Sequence, residues 1–442
     1  MTVRRRVVTS PIQAASTTAQ SSQGTPDTRA KASPLTRRHF LELTGGAFGL
    51  SAATACASAQ SSPTPAPAQA GPRAFSSESF DPWIEIDRGA FQHNVREAAR
   101  LAGGRPILAV CKNNAYGLGD QAVGPLLADC PEVGGIACVR VQEAVVMREA
   151  GVTKPILNMA EVSDDEMEVL VRNRAVPSVW LDNAPERLDR LARRLGRSVP
   201  VQPYVDTGMN REGMPYQRAR PWLETLCSQE SAQVVGTYTM PVHELEFDRE
   251  QLARFQAIVS WARGRGLELG TLHAAPTFEL FQLPEAHLDM VRPGNALFGN
   301  YPSAEGMHEL ADLKPVFRLC ARVVRVERLE PGESAGFSRS YVAERPTWIA
   351  LLPVGRTDGY PSEAANKCEV LIGGRLYPVT SVNSAHAIVE IGAEKTVEVG
   401  DVATMIGPDH QAILPHTIAD LTGVRFLRLI QGMSGRLPRR IV

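Results

Sequence analysis

Lys112 closes the run Ile107-Leu108-Ala109-Val110-Cys111-Lys112-Asn113-Asn114-Ala115-Tyr116-Gly117, where an apolar strand ends on a lysine and breaks into a polar loop bearing glycine. A lysine delivered by a buried strand to the mouth of a pocket is desolvated, which lowers its pKa and frees the amine to form a Schiff base with a carbonyl cofactor. Taken alone, the same lysine also reads as a surface cap on a strand. Three further segments shift the balance: Asp206-Thr207-Gly208-Met209-Asn210-Arg211, His273-Ala274-Ala275-Pro276-Thr277 and Arg292-Pro293-Gly294 each follow or end an apolar run. Thr277, Gly294 and Asn295, with Tyr116, supply the hydroxyl and backbone donors that suit a phosphate.

The elements that must position these groups are regular. Apolar runs recur at 106–111, 135–139, 155–159, 176–181, 199–205, 234–239, 270–275 and 290–292, separated by helical patterns such as 164–172 and 248–264. Eight strands, each followed by a helix, predict a (β/α)8 TIM barrel over 83–312, with its chemistry at the C-terminal ends of the strands. An open doubly wound sheet is the alternative, but no Gly-x-Gly-x-x-Gly follows the first strand to hold a dinucleotide. From about 313 strand follows strand (316–329, 347–354, 369–382, 387–391, 402–406 and 424–430), predicting a C-terminal all-β domain over 313–442. The run 83–87 is expected to join that β domain before the barrel begins.

Lys112-Asn-Asn-Ala-Tyr-Gly117 resembles the cofactor-lysine motif of the alanine racemase family, usually Lys-Ala-Asn-Ala-Tyr-Gly. Val205-Asp-Thr-Gly-Met-Asn-Arg211 is similar to the family's Val-Asp-Thr-Gly-Met-x-Arg, and Val291-Arg-Pro-Gly-Asn-Ala-Leu-Phe-Gly299 to its Val-Arg-x-Gly-x-x-x-Tyr-Gly. Residues 352–360 and the closing Arg436-Leu-Pro-Arg439 match too, so the likeness spans about 83–440. It implies a fold-type III enzyme in which Lys112 binds pyridoxal 5'-phosphate (PLP), Arg292 faces the pyridine nitrogen with His273 supporting it, and Arg211 helps hold the substrate carboxylate. An arginine there keeps the pyridine neutral, which favours proton exchange at Cα over competing reactions. It also implies a homodimer, because in the family the β domain of one subunit completes the pocket of the other.

The chain departs from that pattern where the second proton is handled. The family's Gly-Tyr-Gly-x-Thr-Tyr aligns with Gly336-Phe-Ser-Arg-Ser-Tyr341, so Phe337 stands where the tyrosine base belongs. The histidine coupled to that tyrosine is Met240, and the lysine that is carbamylated in many members is Tyr204. The family's Met-Asp near the substrate carboxylate is Ser384-Ala385, the Tyr of its Gly-Tyr-x-Asp-Gly is Arg356, and its late phosphate tyrosine falls near Phe426 or Leu427. Tyr341, His386 and His243 are candidate replacements for the base, each with an alternative reading as a hydrogen-bonded structural residue. Arg356 is read as binding an extra acidic group on the substrate, and Ser384 as a further substrate-binding position.

The formal net charge of -1 suggests neither nucleic acid nor a charged membrane surface as partner. The start is nonetheless basic, with seven Lys/Arg before Cys56 against Asp27 and Glu42. Thr36-Arg-Arg-His-Phe-Leu41 and the weakly apolar stretch 45–55 resemble a twin-arginine export signal over 1–56. Ala53-Thr54-Ala55 reads as a cleavage site, and Cys56 as a lipidated cysteine. The Pro/Ala/Ser-rich linker at 57–82 would tether a folded domain to the cell envelope. The seven cysteines include no Cys-x-x-Cys pair, so neither a metal site nor a redox motif is expected, and Cys111 and Cys138 read as small core residues. The expected function is an exported PLP-dependent amino-acid racemase or epimerase. Two alternatives stay open: another PLP reaction, such as one-base exchange, elimination or aldol cleavage, and a PLP- or amino-acid-binding protein with little turnover.

Overall fold

Strand after strand of the first half is mostly apolar and buried, as a sheet covered by helices requires. The computed structural model describes residues 79–442; the leader read at 1–56, with Cys56, and residues 57–78 of the linker lie outside them. Barrel strands one to five are Ile107–Val110, Val133–Cys138, Ile156–Asn158, Ala175–Val179 and Val199–Pro203. The sixth is Ala232–Val234, resumed after Val235 as Gly236–Tyr238; the seventh and eighth are Thr271–Ala275 and Met290–Val291. All pairings are parallel, Val291 sits against Ile107, and Tyr204 bridges Tyr238, so the sheet closes on itself.

One expected helix is displaced. Strand eight is followed only by the 3-10 turn Asn295–Phe298 and the one-turn helix Met307–Leu310. The missing helix comes from before strand one: Arg88–Leu101, capped by Asp87, whose Oδ1 accepts from the Ala90 amide at 2.9 Å. Its buried Phe91, Asn94, Val95 and Ala98 form a stripe at helical spacing. That stripe packs on the 3-10 turn and between the helices that follow strands one and seven. Asn94 pins the turn, donating to the carbonyls of Leu297 and Lys314 and accepting from the Lys314 amide.

The C-terminal domain is built on a nine-stranded sheet, and Trp83–Ile86 belongs to it, antiparallel to Phe317–Arg322 and parallel to Arg439–Ile441. The run 316–329 divides into two strands at Val323 and Val324, and 369–382 is a hairpin that turns at Gly373 and Gly374, both with positive φ. Residues 424–430, read as a strand, instead contain the helix Phe426–Gln431, preceded by a second helix, Pro415–Thr422. The apolar content is the same, but Phe426, Leu429 and Ile430 are buried at i, i+3 and i+4 while Arg425 and Arg428 are exposed, a helical period.

Phe91 joins the displaced helix to the catalytic end: its ring stands edge-on to Phe298 at 5.2 Å, and Phe298 lies 4.7 Å from Tyr116. Phe91→Ala should therefore lower unfolding stability by about 3–5 kcal/mol. Urea denaturation would measure this, with loss of cofactor affinity alongside it.

Candidate active site

Lys112 is the last extended residue before an unusual turn. Asn113, Asn114, Ala115 and Tyr116 all have φ between 50° and 57°, and Gly117 has φ 99°. This is a left-handed helical turn, closed by bonds from the Tyr116 amide to the Lys112 carbonyl at 2.8 Å and from Gly117 to Asn113 at 3.1 Å. Neighbours hold it there. Buried Glu143 accepts from the Asn114 amide at 3.3 Å, Asn114 Oδ1 accepts from the Asp120 amide at 3.2 Å, and Arg439 Nη2 donates to the Gly117 carbonyl at 2.7 Å. Lys112 Nζ ends up partly buried near Arg211 and Arg292. Burial first, and then those two cations, lower its pKa below the usual lysine value.

Arg292 ends strand eight, fully enclosed. Its Nη1 donates to His273 Nδ1 at 2.6 Å, and Nη2 donates to the Thr239 carbonyl at 2.9 Å and lies 3.3 Å from the Met240 sulfur. Arginine cannot accept, so His273 Nδ1 carries no proton and Nε2–H donates to Gln202 Oε1 at 2.8 Å. Burial and the charge of Arg292 hold His273 well below the ordinary histidine pKa, hence neutral. Behind this pair rings are stacked: Tyr238 lies 4.9 Å from His273 and 4.6 Å from Tyr204, with the Arg292 guanidinium 4.9 Å over Tyr238. The Tyr204 hydroxyl is buried without a partner among the described residues.

Thr277, just past strand seven, accepts through Oγ1 from the amides of Gly294 and Ala296 at 3.2 and 3.3 Å, fixing the start of the turn after strand eight. After strand five, Asp206 gathers the amides of Gly208, Met209 and Asn210 and so shapes the loop that presents Arg211. Arg211 itself is loosely held, 60 % exposed and 3.7 Å from Glu212. Lys112, Tyr116, Arg211, Thr277, Arg292, Gly294 and Asn295 all line one cavity of about 1310 Å³. His273 lies behind Arg292 and outside the lining.

Four other residues that the sequence pattern singles out lie elsewhere in the chain. Tyr341, Arg356, Ser384 and His386 sit on the β domain and do not line this cavity. Arg356 donates there to Ser384 Oγ at 3.0 Å, and Ser340, next to Tyr341 in the chain, has its Oγ 3.1 Å from Ser381 Oγ. Phe337 is 78 % exposed. Within one chain these residues are separated from Lys112 because strands of the C-terminal sheet carry them on a different surface.

Local sequence patterns do not reveal Gln202, the stack beneath Arg292, or the wall contributed by the helix Phe426–Gln431. Nor do the motifs include buried Glu279, which bonds His243 at 2.9 Å. The signal for Glu279 was a carboxylate two residues past Thr277 in the apolar run 277–281, which has no reason to be there unless it is paired.

The residues fit PLP. A methyl group added at Gly294 would collide with the Tyr116 hydroxyl and stand 3.3 Å from Val110 Cβ, so the bare backbone leaves a cradle at the phosphate end. Arg292 Nε makes no hydrogen bond among the described residues and is the donor left for a pyridine nitrogen, while Lys112 supplies the readily deprotonated amine.

Comparison with known proteins agrees over the whole described region. Residues 86–302 match the family model "Alanine racemase, N-terminal domain" and residues 316–441 "Alanine racemase, C-terminal domain". The chain is 32 % identical over 368 residues to the alanine racemase of Carboxydothermus hydrogenoformans, covering 81 % of this chain and 98 % of that one. It is 35 % identical over 312 residues to that of Syntrophobacter fumaroxidans, covering 69 % and 82 %. The fold superposes on alanine racemase from Clostridium difficile with a TM-score of 0.76 at 24 % identity, covering 82 % of this chain and 96 % of that one.

The crowding at Gly294 makes a direct test. Gly294→Ala must push Tyr116 off Phe298 at a cost of about 1–3 kcal/mol, which corresponds to PLP binding roughly 5- to 150-fold weaker. Absorbance titration of the apoprotein would measure it.

Proposed function

The chain belongs to the alanine racemase family and is a PLP-dependent racemase, and from that premise we propose an exported amino-acid racemase or epimerase whose second proton-transfer group and substrate pocket differ from the family pattern. The observation that carries this reading is the Met240 thioether 3.3 Å from Arg292, where the family's tyrosine-coupled histidine would be, together with a phenylalanine at position 337. Neither side chain can move a proton. Export is supported by the twin-arginine-like leader, with Ala53-Thr54-Ala55 or Cys56 as its exit and a lipid anchor at Cys56 in the second case.

Bound PLP supplies the conjugation that acidifies the substrate Cα–H. The chain's own groups do the rest. Lys112, with its lowered pKa, holds the cofactor and takes or returns a proton on one face. Arg292 presents a hydrogen bond without a transferable proton, and His273 and Gln202 prevent it from turning. Arg211 meets the substrate carboxylate, and its loose tether lets it adjust to different side chains. NMR in D2O with a panel of amino acids tests the reading: Cα deuteration with inversion supports it, deuteration with retention points to one-base exchange, and no exchange to a binding protein.

Assembly follows from the same reading. Phe337, Tyr341, Arg356, Ser384 and His386 would meet a substrate only in the pocket of a second copy, so the active form is proposed as a homodimer arranged head to tail. Dilution into the monomer range, followed by sedimentation, should cost turnover before it costs bound cofactor. A monomer that turns over substrate at micromolar concentration would rule the arrangement out.

Alanine should be a poor substrate, because losing a positioned acid–base group typically costs on the order of 10²- to 10⁴-fold. Phe337→Tyr with Met240→His should raise alanine racemisation by more than the two single changes combined, since tyrosine and histidine act as a unit. Fast alanine turnover in the wild type, unchanged by Phe337→Tyr, would sink this account.

A further inference from the structure

His243 follows strand six on the loop that Met240 begins, and its side chain lines the same cavity as Lys112 with 43 % of its surface exposed. Its backbone is left-handed, with φ 65°. Such a conformation persists in a non-glycine residue only where its surroundings over-determine it. Here the preceding amide, Val242, donates to Asp248 Oδ1 at 2.9 Å and to Gln251 Oε1 at 3.0 Å, locking the loop onto the helix Leu245–Gly264.

The imidazole is oriented as well. Its Nδ1 lies 2.9 Å from Glu279 Oε1, and Nε2 has no hydrogen-bond partner among the described residues. Glu279 is fully buried, so its carboxylate has no water surface to turn to. Its second oxygen and Asp248 Oδ2 are both buried without a donor, and the two carboxyl groups lie within hydrogen-bonding reach of each other. Burial, then the charge of Glu279, pushes Asp248 up to about 6, and the two carboxyl groups together set negative charge against His243. A carboxylate on Nδ1 fixes that nitrogen as the donor and leaves the Nε2 lone pair of the neutral ring open to the cavity.

We propose that His243, oriented by Glu279 and backed by Asp248, is the second catalytic base, working from the side of the cavity opposite Lys112. The two residues stand at strands six and one, three strands apart around a barrel of eight. The inference rests on the reading that Phe337 supplies no base. In one direction His243 Nε2 takes the proton as the Cα–H bond breaks, and the electron pair stays on Cα, stabilised by conjugation. The Lys112 ammonium then returns a proton to the other face. His243 ends charged and Lys112 neutral, and exchange with solvent resets both. The reverse direction swaps the roles.

The pH behaviour has a definite sign. Burial alone would lower the His243 pKa and Arg211 opposes protonation, but the hydrogen bond and charge of Glu279 and the charge of Asp248 outweigh them and raise it. Abstraction by His243 therefore fails as pH falls through a value above the ordinary 6.5. Without the Glu279 charge, that limb moves to lower pH.

The test uses the holoenzyme in D2O with both enantiomers of its best substrate, in the wild type, His243→Gln and Glu279→Gln. His243→Gln should lose inversion by about 10²- to 10⁴-fold while one enantiomer still exchanges with retention at the Lys112 face, which also shows that the variant is folded. If that exchange disappears too, the same comparison in His243→Asn decides, with retention surviving alone if the proposal holds. A second readout needs no turnover: in Lys112→Ala protein without cofactor, the His243 imidazole should titrate above 6.5 by NMR and fall on adding Glu279→Gln. Undiminished inversion in His243→Gln, or a titration indifferent to Glu279, overturns the assignment and leaves the racemase reading standing. A wild type that exchanges without ever inverting overturns both.

Discussion

The left-handed turn after Lys112 is the constraint on which the site depends. Each non-glycine residue in that conformation costs on the order of 1–2 kcal/mol, and four stand in a row, Ala115 and Tyr116 among them. Only surroundings that forbid the alternative can hold them. Glu143 reaches in from the first turn of the helix after strand two, Phe298 from the turn after strand eight, and Arg439 and the Ile430 carbonyl from the C-terminal domain, where a side chain on Gly117 would have no room. The β domain is thus part of the lysine's mounting, and the barrel strand alone does not set where the amine points.

Electrostatics then decide what the mounted groups do. Lys112, Arg211 and Arg292 share the cavity wall with Arg425 and Arg428, which favours anionic ligands, and the nearness of Arg211 and Arg292 keeps the lysine easy to deprotonate. Arg292 would be an expensive buried charge without compensation. Among the described residues no carboxylate bonds to it directly; a carbonyl, a neutral histidine and the face of Tyr238 share the task. The guanidinium keeps its charge and its orientation without an anion that would compete with the cofactor for its free nitrogen.

Much of this was legible in the sequence because barrel chemistry sits at strand ends, and strand ends are local. Lys112, Arg211, Thr277, Arg292 and Gly294 could each be found from an apolar run and the polar residues after it. The partners that tune them could not. Gln202 lies 71 residues from His273 and Glu279 36 from His243, and no local pattern announces such pairs. The turn was visible only as a polar loop, since nothing in Asn-Asn-Ala-Tyr marks its hand. The helix Phe426–Gln431 passed for a strand because a short apolar run does not distinguish the two.

The substitutions relative to the family share a physical direction. Tyr204 and Met240 replace groups that would carry charge or a proton with side chains that stack or pack, and Tyr204 leaves a buried hydroxyl unpartnered, a state that costs about 1–3 kcal/mol. Arg211, on the loop after strand five, is exposed and only loosely paired with Glu212. A carboxylate clamp that is not pre-organised pays its ordering cost when substrate binds. A larger amino acid can recover that cost through side-chain contacts in a cavity of about 1310 Å³. On the proposed reading, the missing tyrosine–histidine pair and the loose Arg211 pull the same way, from fast turnover of one small substrate toward tolerance of several.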